Sequence, residues 1–297
     1  MNTRALRQHL DALLATQDAE ARVQNDPIRF PHRYSDVRDV EISAFLAASY
    51  AYGKVDLFLG VLERIHAVMD AHGGPTAFVR DYSADLHGPL LHGIGYRWTR
   101  DTDLVWLFAA LRHALGNVRG MHALFAGATA REALQNGAEA LLTACVRVAP
   151  QVGRSADSVA DLPRGLRYFA PSPKSGSGCK RGNLFLRWMV RHGDGVDLGV
   201  WTHLEPAALV MPIDRHIQRI APLLGLVDKA DGSWRTALQV TQALAQLCPE
   251  DPVRYDFALA HTGISDGCTG QLVPDVCNTC SVRQVCRHGM RLTLATG

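Results

Sequence analysis

At 297 residues, with 47% hydrophobic side chains and a formal net charge of +2, the chain is long enough for one large domain or two interleaved ones with a real core. No apolar run approaches the roughly 18 residues a membrane span needs, and the N-terminal stretch MNTRALRQHLDALLATQD is charged and amphipathic rather than signal-like. A soluble, cytoplasmic chain is expected, and any binding to a polyanion must come from local clusters of charge.

In chain order almost every segment carries the helical period. Residues 5–16 repeat Leu and Ala at helical spacing and run into a polar stretch with Asn25, Pro27 and Pro31. Asp36 is placed to cap a helix that sets Ile42, Phe45, Leu46 and Ser49 on one face and breaks at Gly53. VDLFLGVLERIHAVMD aligns Phe58, Leu62, Ile65 and Met69 and stops at Gly73, Gly74 and Pro75. The segment from Tyr82 to Trp98, with Gly88, Pro89, Gly93 and Gly95, reads as loop. The period returns at 101–117 and 131–149, after which residues 149–165 form the expected flexible connection. No segment alternates with β-branched enrichment, so the expected fold class is all-α.

Chemistry concentrates in three later stretches. Gly176, Gly178 and Lys180 form G-x-G-x-K at the start of the helix RGNLFLRWMV. Glycines there permit a tight turn with amides directed at an anion, although such a turn is equally a plain structural connection. Walker spacing is absent, and Lys180 reads either as a solvated lysine or as an amine held at a site. Asp214, 34 residues after Lys180, follows Pro212 and opens a helix with Ile217, Ile220, Ala221 and Leu224 on one side. It is a natural N-cap, and helix amides that cap a carboxylate also keep it ionised and aimed. Between Pro163 and Gly193 lie Arg164, Arg167, Lys174, Lys180, Arg181, Arg187 and Arg191, with no acid among them. Such a cluster suits phosphate contacts, and by like-charge repulsion it favours the neutral amine of Lys180.

Cys268, Cys277, Cys280 and Cys286 give C-x8-C-x2-C-x5-C, four of the seven cysteines within 19 residues. Without an export signal, thiolate ligation explains this spacing better than disulfides. Four thiolates suit a [4Fe–4S] cluster or tetrahedral zinc, and spacing leaves both open.

Together, G-x-G-x-K opening a helix, then P-x-D-x-H-[IV]-x-R-[IV], then four clustered cysteines resemble the helix-hairpin-helix DNA glycosylases, the superfamily of endonuclease III, the adenine glycosylase and the 8-oxoguanine glycosylases. More closely, CKRGNLFLRWMVR, DGVDLGVW and PIDRHIQRIAPLLGL resemble a bacterial family of hypothetical proteins related to that superfamily.

The resemblance implies two helical domains with a DNA-binding cleft. Residues 36–212 would carry the hairpin, and residues 1–35 plus 213–297 would form the second domain, ending in the cysteine loop. It implies Lys180 as the nucleophile of a bifunctional glycosylase/AP lyase and Asp214 as the essential carboxylate. Gly176, Gly178, Arg181 and Arg187 would contact DNA, and Cys268, Cys277, Cys280 and Cys286 would hold a [4Fe–4S] cluster, with zinc the alternative. The first cysteine spacing is two residues longer than the endonuclease III pattern. The long interval between Lys180 and Asp214 is closer to the archaeal 8-oxoguanine branch, making 8-oxoguanine the first substrate to expect, in double-stranded DNA at the bacterial nucleoid. A non-catalytic protein that docks on nucleic acid through the hairpin and the cysteine loop is the alternative.

Overall fold

A computed structural model describes residues 3–16, 18–116, 118–265 and 267–296. The longer helices, in chain order, are α1 (Thr3–Ala15), α2 (Val37–Tyr50), α3 (Val55–Asp70), α4 (Asp101–Leu115), α5 (Ala130–Val148), α6 (Lys180–Val190), α7 (Arg215–Leu223), α8 (Trp234–Ala245), α9 (Asp256–Ser265) and α10 (Arg287–Thr296). No strand occurs among the described residues, so the all-α expectation holds. Nor is any helix among them long and apolar enough to cross a membrane.

Several helix starts follow from single side chains. Asp36, Thr129 and Ser233 each accept a backbone N–H from the first turn they precede, at Arg38, Glu132 and Thr236 respectively, satisfying donors that have no partner inside the helix. The segment 82–98 is less irregular than its glycines suggest. It holds a helical turn at Ala84–His87 and a 3-10 turn at Gly88–Leu91.

The chain divides into two compact units. One contains residues 19–172 and 185–204; the other contains residues 1–18, 173–184 and 205–297. The stretch 149–165 lies wholly inside the first and separates nothing. This division differs from the sequence-based one, because the glycine–lysine turn clusters with the Asp214 segment rather than with residues 36–172. Its physical cause is a pair of backbone hydrogen bonds to the start of α8, described below.

In the unit of residues 19–172 and 185–204, α2 is the central element. Every residue from Val40 to Tyr50 is buried, so the single apolar face read from the sequence understates it. The two polar side chains this burial traps, Glu41 and Ser43, are both satisfied. Glu41 accepts the Met121 and His122 amides at 2.8 and 3.1 Å and the Trp201 indole N–H at 2.7 Å. Ser43 pairs with His66 Nε2 at 2.8 Å, while His66 Nδ1 donates to the Leu62 carbonyl at 2.8 Å.

His66 is fully buried against Phe30, and burial pushes its pKa down to about 4. The folded state therefore resists a proton that the unfolded chain accepts near pH 6.5. The resulting stability is complete above the unfolded value and is lost as pH falls toward 4. Between pH 7.5 and 4.5 this one group should remove about 2–3 kcal/mol from the unfolding free energy. Urea unfolding at the two pH values checks this, and His66→Gln should flatten the dependence by that amount.

In the unit of residues 1–18, 173–184 and 205–297, Leu6 and Leu10 of α1 are fully buried. Tyr255 donates its hydroxyl to Asp11 at 3.0 Å, and His9 Nε2 lies 3.0 Å from Gln284 Oε1. These contacts tie the start of the chain to its C-terminal helices.

Candidate functional site

The glycine–lysine turn is built by close approach. Gly178 N–H donates to the Gly232 carbonyl at 2.8 Å, Trp234 N–H donates to the Gly176 carbonyl at 2.9 Å, and Ser177 and Ser233 form an antiparallel bridge between them. A Cβ on Gly178 would lie 2.8 Å from the Gly232 oxygen, so only glycine fits this position. Gly176 N–H donates to the Pro173 carbonyl at 3.0 Å. The two amides expected to hold a DNA phosphate are thus paired within the chain. The glycines serve to join the turn to residues 232–234.

Cys179 takes a left-handed φ of 46° and is buried, its pKa pushed up to about 11 by that burial. It is an inert thiol beside the lysine. Lys180 opens α6 and is half-buried, with Asn183 closing the turn beneath it by donating Nδ2–H to the Gly178 carbonyl at 2.9 Å.

Asp214 caps α7. Its Oδ1 accepts the His216 and Ile217 amides, both at 2.8 Å, and its Oδ2 accepts nothing among the described residues. Only one of its two oxygens is engaged by the helix. The cap and the lysine turn belong to the same compact unit, in which Gln218 N–H closes the first turn of α7 on the Asp214 carbonyl at 2.9 Å.

The same helix carries a pair that sequence reasoning leaves without a role. Arg219 Nη2 lies 2.7 Å from His216 Nδ1. Guanidinium only donates, so Nδ1 accepts and the ring proton sits on Nε2. The aliphatic stem of Arg219 stands about 3.6 Å from a Cβ position on Gly270, whose carbonyl lies 3.2 Å from His288 Nε2. The cysteine loop meets the end of the helix that Asp214 caps, since Ile220 and Leu223 line one pocket with the four cysteines.

Arg187 departs from the phosphate-binding role expected of it. It is buried, and its Nε and Nη2 donate to Asp197 Oδ1 at 3.2 and 3.0 Å. Arg191 is likewise buried, bonded to Asp194 Oδ2 at 2.7 Å and to Asp197 Oδ2. The window 163–193 has no acid, but Asp194 and Asp197 follow it immediately. The DGVDLGVW segment folds back on the end of α6, where the Leu198 and Gly199 amides bond the Trp188 carbonyl and the Trp201 amide bonds the Met189 carbonyl. The insertion thus closes its own helix and neutralises two arginines. Arg164 and Lys174 remain exposed, and Arg181 is half-buried.

All four clustered cysteines line one pocket of about 470 Å³, a volume that includes its open mouth, together with Ile220, Leu223, Leu224, Val276 and Val282. None of the seven cysteines, all of which are described, is in a disulfide. Among the described residues no group of three His, Cys, Asp or Glu is placed to hold a metal ion. Within Gly267–Leu292, Val282 is the one buried apolar side chain among the described residues. A loop with so little core requires another source of order, and a thiolate-bound group fits that need. His288 lines the same pocket, and its buried Nδ1 has no hydrogen-bond partner among the described residues.

A family model described as "Protein of unknown function (DUF2400)" matches residues 26–265, which include Lys180 and Asp214 and end before Cys268. No curated protein and no solved structure matches the chain.

Proposed function

As the chain belongs to that family, whose description carries no activity, we propose its function from its own residues: a DNA base-excision glycosylase with AP-lyase activity, 8-oxoguanine being the first base to test. The observation that carries the reading is that Lys180 opens one helix and Asp214 caps another within the same compact unit, where the lysine turn is hydrogen-bonded to residues 232–234. The resemblance to helix-hairpin-helix glycosylases assigns the nucleophile and the essential carboxylate to these same two elements.

The target nucleotide must leave the base stack before its C1′ can be reached. The Lys180 amine then bonds to C1′ through its nitrogen electron pair, giving up a proton to solvent, as the glycosidic bond breaks and its pair leaves with the base, which takes up a proton from solvent. Asp214 Oδ2, aimed by the helix amides on Oδ1, stabilises the positive charge that develops on the sugar. Opening of the sugar ring at C1′–O4′ converts the adduct to a Schiff base, and loss of a C2′ proton drives elimination of the 3′ phosphate. With the glycine amides and Arg187 engaged inside the protein, phosphate contacts fall to side chains such as Lys174 and Arg181. Cys268, Cys277, Cys280 and Cys286, which line one pocket, would hold a [4Fe–4S] cluster, with zinc the alternative. When bound, it supplies a covalent brace for the C-terminal loop.

Borohydride trapping tests the reading, using duplexes with 8-oxoguanine, oxidised pyrimidines, uracil or an abasic site. A covalent adduct formed by the parent protein and absent in Lys180→Gln is expected. Failure to trap any of these substrates, with no base released, would leave the non-catalytic docking protein as the better account.

A further inference from the structure

Far along the sequence from Lys180, residues 96–99 form a tight turn in the unit of residues 19–172 and 185–204. Tyr96 N–H donates to the Thr99 carbonyl at 2.8 Å and Thr99 N–H to the Tyr96 carbonyl at 3.0 Å, so Arg97 and Trp98 occupy the tip. Arg97 sits at φ 53°, a left-handed conformation that such a tip normally assigns to glycine, asparagine or aspartate. The turn therefore holds a long cation in a conformation that disfavours it, with a tryptophan beside it that is 49% exposed.

The surroundings are basic and aromatic. The Arg164 guanidinium lies 5.0 Å from the centroid of the Trp98 ring. Arg97 Nη1 lies 2.9 Å from a Cβ position on Gly53, next to the exposed Lys54. Half-buried Tyr52 places its ring 5.0 Å from those of Tyr96 and Tyr168. The acids nearest in sequence face the backbone: Asp101 accepts the Gly93 and Thr102 amides, and Asp103 accepts the Arg100 amide. Exposed cations around a half-exposed indole form the combination that binds unpaired nucleotides, cations tracking phosphates while a ring stacks on a base.

We infer that the Tyr96–Thr99 turn is a single-stranded nucleic-acid contact, in which Trp98 stacks on an unpaired base and Arg97 and Arg164 contact the flanking phosphates. The inference is independent of the glycosylase reading, since the trapping experiment reports on Lys180 and the following one on Trp98.

Of the five tryptophans, Trp106, Trp188, Trp201 and Trp234 are buried, so quenching of tryptophan emission on binding reports on Trp98. The full-length protein is titrated with a thymidylate 12-mer and with a 12-mer of propanediol phosphates, which lacks both base and sugar, alongside anisotropy of the labelled strands. Quenching is expected with the thymidylate strand and should vanish in Trp98→Phe, which keeps a stacking ring and most of the affinity. Trp98→Ala should weaken thymidylate binding about tenfold, and Arg97→Gln combined with Arg164→Gln should reduce the salt slope by about 1.4. Because Trp98 is half exposed, both Trp98 variants should keep the parent melting temperature; if the alanine variant does not, the phenylalanine variant carries the test. Equal affinity for the two strands, quenching that survives Trp98→Phe, or a loss under twofold in a folded Trp98→Ala overturns the inference.

Discussion

Asp214→Asn should lower turnover on a cleavable duplex by a factor of about 10²–10³ while leaving both stability and duplex affinity near those of the parent. The two halves of that result come from different oxygens. Oδ1 caps α7 through His216 and Ile217, and asparagine caps helices as well as aspartate does, so the fold is preserved. Oδ2 accepts no hydrogen bond among the described residues, and it is the charge there that the amide removes. Asp214→Ala should lose the cap as well, destabilising the protein by about 1 kcal/mol. Single-turnover kinetics beside urea unfolding of both variants separates the roles. If Asp214→Asn turns over like the parent and only Asp214→Ala differs, through stability, the carboxylate is a cap and nothing more. If both variants lose duplex affinity in proportion to activity, Asp214 belongs to binding.

The features legible in the sequence are those encoded within a few residues. Asp36 and Asp214 can be read as caps because the donors they satisfy lie two or three positions on, and α3 and α4 because their apolar period is local. What escapes is settled by distant partners. The amide of Gly178 is taken by Gly232, 54 residues away, so a loop that reads as an anion cradle is a junction between segments. Arg187 belongs to a basic run until the chain reverses at residues 193–199 and returns Asp197 to it. Glu41 looks like the polar side of an amphipathic helix, yet its acceptors' capacity is filled by Met121, His122 and Trp201, contributed by segments far along the chain. The domain division read from the sequence differs from the compact units for the same reason, because the hydrogen bonds that join residues 173–184 to residues 232–234 have no local signature. Of the candidate site, the lysine, the carboxylate and the four cysteines are legible by residue type and spacing. The His216–Arg219 pair is visible only once the helix places them one turn apart with a shared proton.

Replacing Cys277 and Cys280 by serine should abolish the bound chromophore and loosen the C-terminal loop, with little effect on the unit of residues 19–172 and 185–204. The loop from Gly267 to Leu292 buries a single apolar side chain, Val282, among its described residues, far too little to order so many residues against their conformational entropy. Thiolate–metal bonds supply folding energy on the order of 10 kcal/mol in small zinc domains, a large stabilising term for a segment with so little core. The parent should show broad absorption near ~400 nm from thiolate-to-iron charge transfer, with four irons per chain, and the double variant should show neither. Amide exchange should accelerate across the loop, reaching α7 through the packing of Gly270 against Arg219 and of His216 against Arg219. Turnover falls with it if the loop steadies the Asp214 turn. A colourless parent with one zinc per chain would replace the iron–sulfur assignment by zinc while leaving the brace intact. A metal-free parent whose loop exchanges no faster after substitution would remove the cofactor altogether, and the four cysteines would then be ordinary thiols around an apolar pocket.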